Sequence, residues 1–210
     1  MMKKSSRGLL IVVEGCDRSG KTTQTQLLAN YLTSKSLDNE VMKFPDRTTE
    51  LGKMINSYLT NKKNFNDQLI HLLFSSNRWE KLEEMENKLN QGVNLIVDRY
   101  AYSGAVFSSA KGLDLEWCKN PDRGLLTPDL VLFLDVDPSK VTNREGFGDE
   151  RYEVTDFQIK VRKQFLNLKT EDWKVIDGTQ SINQVQSEVN KEIEELLAKE
   201  HSPIKKDLWI

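Results

Sequence analysis

The sequence predicts an α/β fold: a five-stranded, mostly parallel sheet flanked by helices. Three observations predict it. Short apolar runs alternate with long amphipathic stretches along the 210 residues. The strongest runs are continuously apolar, as strands covered on both faces are. The stretches between them repeat apolar residues every three or four positions, the period of a helix.

The elements follow in order. Residues 9–13 (LLIVV) read as the first strand, and 21–35 as a helix with Leu27, Leu28, Tyr31 and Leu32 on one face. Residues 40–44 (EVMKF) are a weaker, more alternating strand. Residues 67–90 read as one long helix striped by Leu69, Leu72, Leu73, Trp79, Leu82, Met85 and Leu89. Gly92 suits the turn past its C-terminus, because glycine accepts a left-handed backbone there. Residues 94–97 (NLIV) and 130–134 (LVLFL) are strands, and 173–176 (WKVI) is a fifth. Helices are expected over 139–144, 158–168 and 181–199, the last with Ile182, Val185, Val189, Ile193 and Leu196 in register. No internal repeat or flexible linker divides the chain, so residues 1–210 are expected to form a single domain.

Composition narrows the function classes. Lys plus Arg number 30 and Asp plus Glu 32, for a formal charge of -2. A near-neutral chain lacks the basic surface of a general nucleic-acid binder. The two cysteines, Cys16 and Cys118, form neither a zinc cluster nor a disulfide framework, which suits a reducing compartment. No apolar run approaches the length of a membrane span, and the first one is too short for a signal sequence.

In a parallel α/β sheet, ligands bind beyond the carboxyl ends of the strands. After the first strand stands Gly15-Cys16-Asp17-Arg18-Ser19-Gly20-Lys21-Thr22, which satisfies the P-loop pattern G-x-x-x-x-G-K-[ST]. Its glycines let successive N–H groups point inward at phosphate oxygens, and the helix that follows aims its positive end at the same place. Lys21 then reaches the β- and γ-phosphates and Thr22 offers a hydroxyl to Mg²⁺. This makes the expected architecture a three-layer P-loop NTPase fold. Arg18 and Asp17 inside the loop read either as groups that steady a phosphoryl group in transfer and accept from a second ligand's hydroxyl, or as a solvated pair on the loop.

The other strand ends carry Phe44-Pro45-Asp46-Arg47 and Asp98-Arg99-Tyr100. Six of the nine arginines (18, 47, 78, 99, 144 and 151) fall at strand ends, in the long helix or in the segment REGFGDERYE. Planar guanidinium forks suit bidentate phosphate recognition, so a site for two phosphorylated ligands is implied. Asp98 reads either as a carboxylate near Mg²⁺ or as a helix cap. Phe74 and Arg78 share a helical face; Phe74 reads as a core residue or as a stacking platform for a base. The Gly-containing segment at about 142–158 reads as a lid that excludes water.

Together EGCDRSGKTTQ, FPDR, HLLFSSNRWE, DRYAYSG and FGDERYE resemble the thymidylate kinases of eukaryotic type, from about residue 9 to about 190. The resemblance implies a cytoplasmic enzyme, with nuclear or mitochondrial pools left open, that phosphorylates dTMP to dTDP with MgATP. It implies a homodimer, and neither nucleic-acid nor membrane partners; the striped helix 67–90 reads as a dimer contact or as packed only on its own sheet. ATP would be held by Gly15, Arg18, Ser19, Gly20, Lys21, Thr22, Thr23, Arg144 and Gln180, and Mg²⁺ by Thr22 and Asp98. Arg18, Lys21, Asp98 and Arg99 would serve catalysis. dTMP would meet Asp17, Phe44, Pro45, Arg47, Phe74, Arg78, Arg99, Ser103, Gly104, Phe107, Arg151, Tyr152 and Gln158, with Phe74 stacked on thymine. Thr22 stands where the family often has Ser, and the loop 177–180 matches weakly. A kinase for another nucleoside monophosphate and a nucleotide-binding switch are the alternatives. The guanine-binding pattern N-K-x-D is absent, which counts against the switch.

Overall fold

The computed structural model describes residues 7–140 and 150–210. Five strands, β1 (Leu10–Glu14), β2 (Asn39–Lys43), β3 (Asn94–Asp98), β4 (Leu130–Asp135) and β5 (Lys174–Asp177), form one sheet in the order β2-β3-β1-β4-β5. Every neighbouring pair is parallel. All five carboxyl ends therefore open on one edge, with β1 and β3 side by side in the middle.

The alternating faces of β1 explain the layers. Leu10 and Val12 join one apolar cluster with Leu95, Val97, Val131 and Phe133. Ile11 and Val13 join another with Ile96, Leu132 and Leu134. Helices α1 (Lys21–Ser34) and α8 (Ile182–Leu197) cover the second face with Leu28, Leu32, Val185, Val189 and Ile193. The first face is covered by α4 (Leu82–Asn90), α5 (Ala101–Ala110) and α7 (Thr155–Leu168), through Met85, Leu89, Val106, Val161 and Phe165. Each such side chain fully removed from water contributes about 1.5–3 kcal/mol. The C-terminal segment adds Leu208 to this cluster and sets Trp209 edge-on to Tyr102 at 5.5 Å.

Three helices have no counterpart in the sequence reading: α2 (Glu50–Leu59), α5 and α6 (Leu115–Lys119). The predicted helix 67–90 is two helices, α3 (Asp67–Trp79) and α4, broken at Glu80 and Lys81. The stripe was continuous in spacing, but its halves face different partners. In α3 the buried residues are Ile70, His71, Ser75, Asn77 and Arg78, whereas Leu69, Leu72 and Trp79 are exposed at 44%, 43% and 37%. Only α4 turns its stripe to the sheet. It ends as Gly92 predicts, with the Val93 N–H returned to the Lys88 carbonyl at 3.0 Å. Of the expected 139–144 helix, the structure has a 3₁₀ turn at Pro138–Lys140; the remainder lies outside the described residues.

Candidate functional site

A cavity of about 580 Å³ opens at the carboxyl ends of β1, β2 and β3. One wall is the loop from β1 to α1. At Gly15 a Cβ would lie 2.7 Å from the Leu134 carbonyl, so only glycine lets the loop lie on β4. Gly20 (φ 97°) turns into α1, which begins with no side chain bonded to its free N–H groups. Those donors and the helix dipole form a site for an anion. Lys21 is buried beside them, its Nζ 2.6 Å from the Cys16 carbonyl and 3.3 Å from Ser19 Oγ. Burial, with Arg99 nearby, pulls its pKa down to about 8.

The middle of the cavity belongs to β3. Thr22 Oγ1 donates to Asp98 Oδ2 at 2.7 Å. Lys43 Nζ lies 3.9 Å from the same oxygen. Asp98 Oδ1 is buried with no hydrogen-bond partner. A hydroxyl beside an unpaired carboxylate oxygen fits Mg²⁺, which takes few protein ligands and completes its shell with phosphates and water. Next to Asp98, Arg99 (φ 70°) adopts a left-handed backbone, as does Arg18 (φ 60°). Arg99 ion-pairs with Asp17 and donates to the Gly15 carbonyl at 3.0 Å and Ser103 Oγ at 3.1 Å. Glu14, fully buried, accepts from the Tyr100 N–H at 2.9 Å and the Ser103 N–H at 3.0 Å. It thereby fixes the start of α5 against the loop.

The far wall is built by α2, α3 and α5. The Phe44–Pro45 peptide is cis. The Asn77 side chain holds the loop after it, accepting from the Asp46 N–H at 2.7 Å and donating to the Asp46 carbonyl at 3.2 Å. Arg47 grips Glu150 with both NH groups, at 2.6 and 2.9 Å. Arg18 Nε donates to Glu153 Oε1 at 2.9 Å. Phe74 is half-buried: it packs on the aromatic cluster of Tyr58, Phe65 and Phe107, and also lines the cavity. Phe74 therefore packs with the core and at the same time leaves part of its ring open to the cavity. Arg78 is buried and pairs through Nε and NH2 with Asp122, which is fully buried. Gly104 lies under Arg78, where a Cβ would come within 2.6 Å of its NH2.

Most of the sequence-derived site residues line this one cavity: Asp17, Arg18, Gly20, Lys21, Thr22, Thr23, Phe44, Pro45, Arg47, Phe74, Arg78, Asp98, Arg99, Ser103, Gly104, Phe107 and Tyr152. Gly15 and Ser19 shape the loop from behind. Three others stand away from the cavity. Gln158 is buried, donating to Asp17 Oδ2 at 2.6 Å and the Tyr152 carbonyl at 2.9 Å, so it braces the loop. Arg151 lies over the Tyr58 ring at 4.0 Å and donates to the Tyr58 carbonyl at 2.9 Å. Gln180 donates to Glu188 at 2.8 Å. Arg144 and the first half of the expected lid, up to residue 149, lie outside the described residues. Sequence reasoning missed Glu14, Lys43, Asn77, Ser108, Asp122, Glu150 and Glu153. Only Glu14 carried a local signal, as a carboxylate directly after an apolar run.

Known proteins resemble this chain in sequence and in fold. The family model described as Thymidylate kinase matches residues 13–189. A thymidylate kinase of Schizosaccharomyces pombe is 51% identical over 194 residues, covering 90% of this chain and 92% of that protein. The Homo sapiens thymidylate kinase is 46% identical over 187 residues, 87% and 88% of the two chains. A solved thymidylate kinase from Candida albicans superposes with a TM-score of 0.86 at 39% identity, covering 94% of this chain and 97% of its own.

Proposed function

Because this chain belongs to the thymidylate kinase family and phosphorylates dTMP to dTDP, we propose that its cavity holds two nucleotides head to head, ATP on the amide loop and dTMP against α3 and α5. The observation that carries this arrangement is the single cavity with a phosphate loop on one wall and Arg47, Arg78 and Phe74 on the other. The base stacks on Phe74 and offers its edge to Arg78, whose guanidinium Asp122 holds in place. Arg47 takes the monophosphate. Its bidentate grip on Glu150 supports this, since two carboxylate oxygens present the geometry of two phosphate oxygens.

The reaction needs positioning and charge neutralisation, with no covalent intermediate. Lys21 and the N–H groups of the loop hold the donor phosphates. Arg99 and Arg18 face the gap between the nucleotides, where charge spreads as the phosphoryl group moves. Asp17 accepts from the acceptor's sugar hydroxyl. Thr22 and Asp98 would hold Mg²⁺, which would supply positive charge to offset that of the donor phosphates. Glu150, Tyr152 and Glu153, which line the cavity, help keep water from the transferring group. Ser103, Gly104, Phe107 and Tyr152 close around the sugar and base.

The exposed Leu69, Leu72 and Trp79 on α3 support a homodimer through that helix, which light scattering tests. Among the described residues no helix is long and apolar enough to cross a membrane. Both cysteines are free and buried, in keeping with a cytoplasmic location.

A coupled ADP-release assay with dTMP, dUMP, UMP, CMP, AMP and GMP tests the substrate assignment. dTMP turns over fastest; faster turnover of CMP or AMP overturns it. Arg18→Ala lowers kcat by at least about tenfold, with a smaller change in nucleotide binding. An unchanged kcat removes Arg18 from the chemical step.

A further inference from the structure

Arg78 stands at the end of a series of contacts that begins at residues 205–210. Its counter-ion, Asp122, closes the 3₁₀ turn Asn120–Asp122. Helix α3 grips that turn from one side: Ser75 Oγ donates to the Pro121 carbonyl at 3.1 Å, and Trp79 Nε1 to the same oxygen at 2.6 Å. Beyond the turn, residues 123–129 reach β4 with no helix or strand of their own. Residues 205–210 run antiparallel to them. The Gly124 N–H donates to the Leu208 carbonyl at 3.1 Å, the Leu208 N–H to the Leu125 carbonyl at 3.2 Å, and the Thr127 N–H to the Lys205 carbonyl at 2.9 Å. Thr127 Oγ1 lies 2.6 Å from an Asp207 carboxylate oxygen. Ile210 and Trp79 meet over Gly124, each 3.8 Å from where a Cβ would stand.

The same segment reaches α5. Trp209 packs edge-on against Tyr102, which immediately precedes the cavity-lining Ser103 and Gly104. Residues 205–210 thus touch both elements that hold the Arg78 guanidinium: the stretch after Asp122 and the helix carrying Gly104. Their own hold is slight. Leu208 is the one buried residue among the six, in the cluster of Leu125 and Leu126; the others are half-buried or exposed. A segment with so few buried contacts opens at a free energy well below that of global unfolding. When it opens, the Gly124 and Thr127 N–H groups lose their acceptors, and the stretch that follows Asp122 loses its outer support.

We propose that residues 205–210 form a strap that positions Asp122, and through it Arg78, so that docking of the strap and binding of dTMP reinforce one another. This rests on the reading that the base lies between Phe74 and Arg78. The strap touches no nucleotide; its residues are positioning residues that act through the Asp122–Arg78 pair. The donor's loop lies on β1 and α1, which no contact above joins to the strap, so ATP binding is indifferent to it. Coupling between two sites is reciprocal. The factor by which the docked strap tightens dTMP is the factor by which dTMP holds the strap closed.

Hydrogen exchange on the full chain tests this without any variant. Saturating dTMP is expected to slow exchange of the Gly124, Thr127 and Leu208 amides about tenfold, and MgADP alone to leave them unchanged. Equal protection by the two ligands, or by neither, overturns the proposal. Calorimetry on a chain lacking residues 205–210 is expected to show dTMP binding weakened by that same factor of about ten, with MgADP binding unchanged. The kcat at saturating nucleotides stays within about twofold, because the strap acts on binding of the acceptor and not on the chemical step. A strap with only a structural role would weaken both ligands and kcat together, and that result overturns the proposal. Leu208→Ala is the milder variant should the shortened chain fail to fold, with the same pattern expected. Phe74→Ala separates the two readings. If it leaves dTMP binding intact, the base lies elsewhere and both fall. If it weakens dTMP binding while loss of the strap does not, only this inference falls.

Discussion

Lys21→Ala is expected to cut kcat by about a thousandfold, measured by ADP release at saturating nucleotides. The ammonium is buried at the mouth of α1, beside the N–H groups that would hold the donor phosphates. Among the described residues no other lysine that lines the cavity is buried; Lys43 is exposed along more than half of its side chain. Removing Lys21 takes a fixed charge from a dry site, where water does not replace it. A loss of less than about tenfold would place the main charge stabilisation on the arginines instead.

The same group carries a pH signature. Its folded-state pKa of about 8 lies below the ordinary value of 10.5. Between these values the unfolded chain binds a proton that the folded chain lacks. Stability contributed through this group therefore rises with pH across that window. Donor binding runs the other way, because the empty enzyme loses its positive charge above about pH 8. The kcat/KM for ATP is expected to turn down there, and Lys21→Ala to abolish that limb. A wild-type profile flat up to pH 10 would contradict it.

Asp122→Ala is expected to destabilise the fold by about 3–5 kcal/mol, because it leaves the Arg78 guanidinium buried without its counter-charge. Arg78 is 2% exposed and Asp122 is 0% exposed, so water reaches neither. Ser75 Oγ, which donates to Asp122 at 2.7 Å, loses its acceptor as well. In a chain of this size the melting temperature should fall by roughly 10 °C. The KM for dTMP should rise, since the guanidinium is no longer held at the cavity wall. Adding Arg78→Met should restore much of the stability and none of the dTMP binding. A single variant that melts with the wild-type protein would show that the pair contributes nothing.

Much of this molecule was legible before any coordinates. The five strands fall within two residues of their predicted limits, because an apolar run between polar flanks is a local signal. The phosphate loop was legible for the same reason: its spacing prescribes its backbone. Helix α3 was legible in its existence and misread in its face. The spacing of Leu69, Leu72 and Trp79 says they share a side, but not that this side points outward. Helix α5 was overlooked because AYSGAVFSSA is apolar all round and has no helical stripe to count. Gln158 and Arg151 carry polar groups suited to a ligand, yet both bind their own backbone in this structure.

Sequence alone determined the kind of chemistry: a phosphate-binding turn at a strand end, arginines gathered at neighbouring ends, and the order of elements that brings those ends together. Each of these is written in residues a few positions apart. Tertiary structure alone decided which charges are paired. Arg78 meets Asp122 44 residues later, Arg47 meets Glu150 103 residues later, and His71 meets Ser108 37 residues later. The strength of such pairs depends on how much water the surrounding fold removes, and desolvation is a property of the packed molecule that no short stretch of sequence encodes.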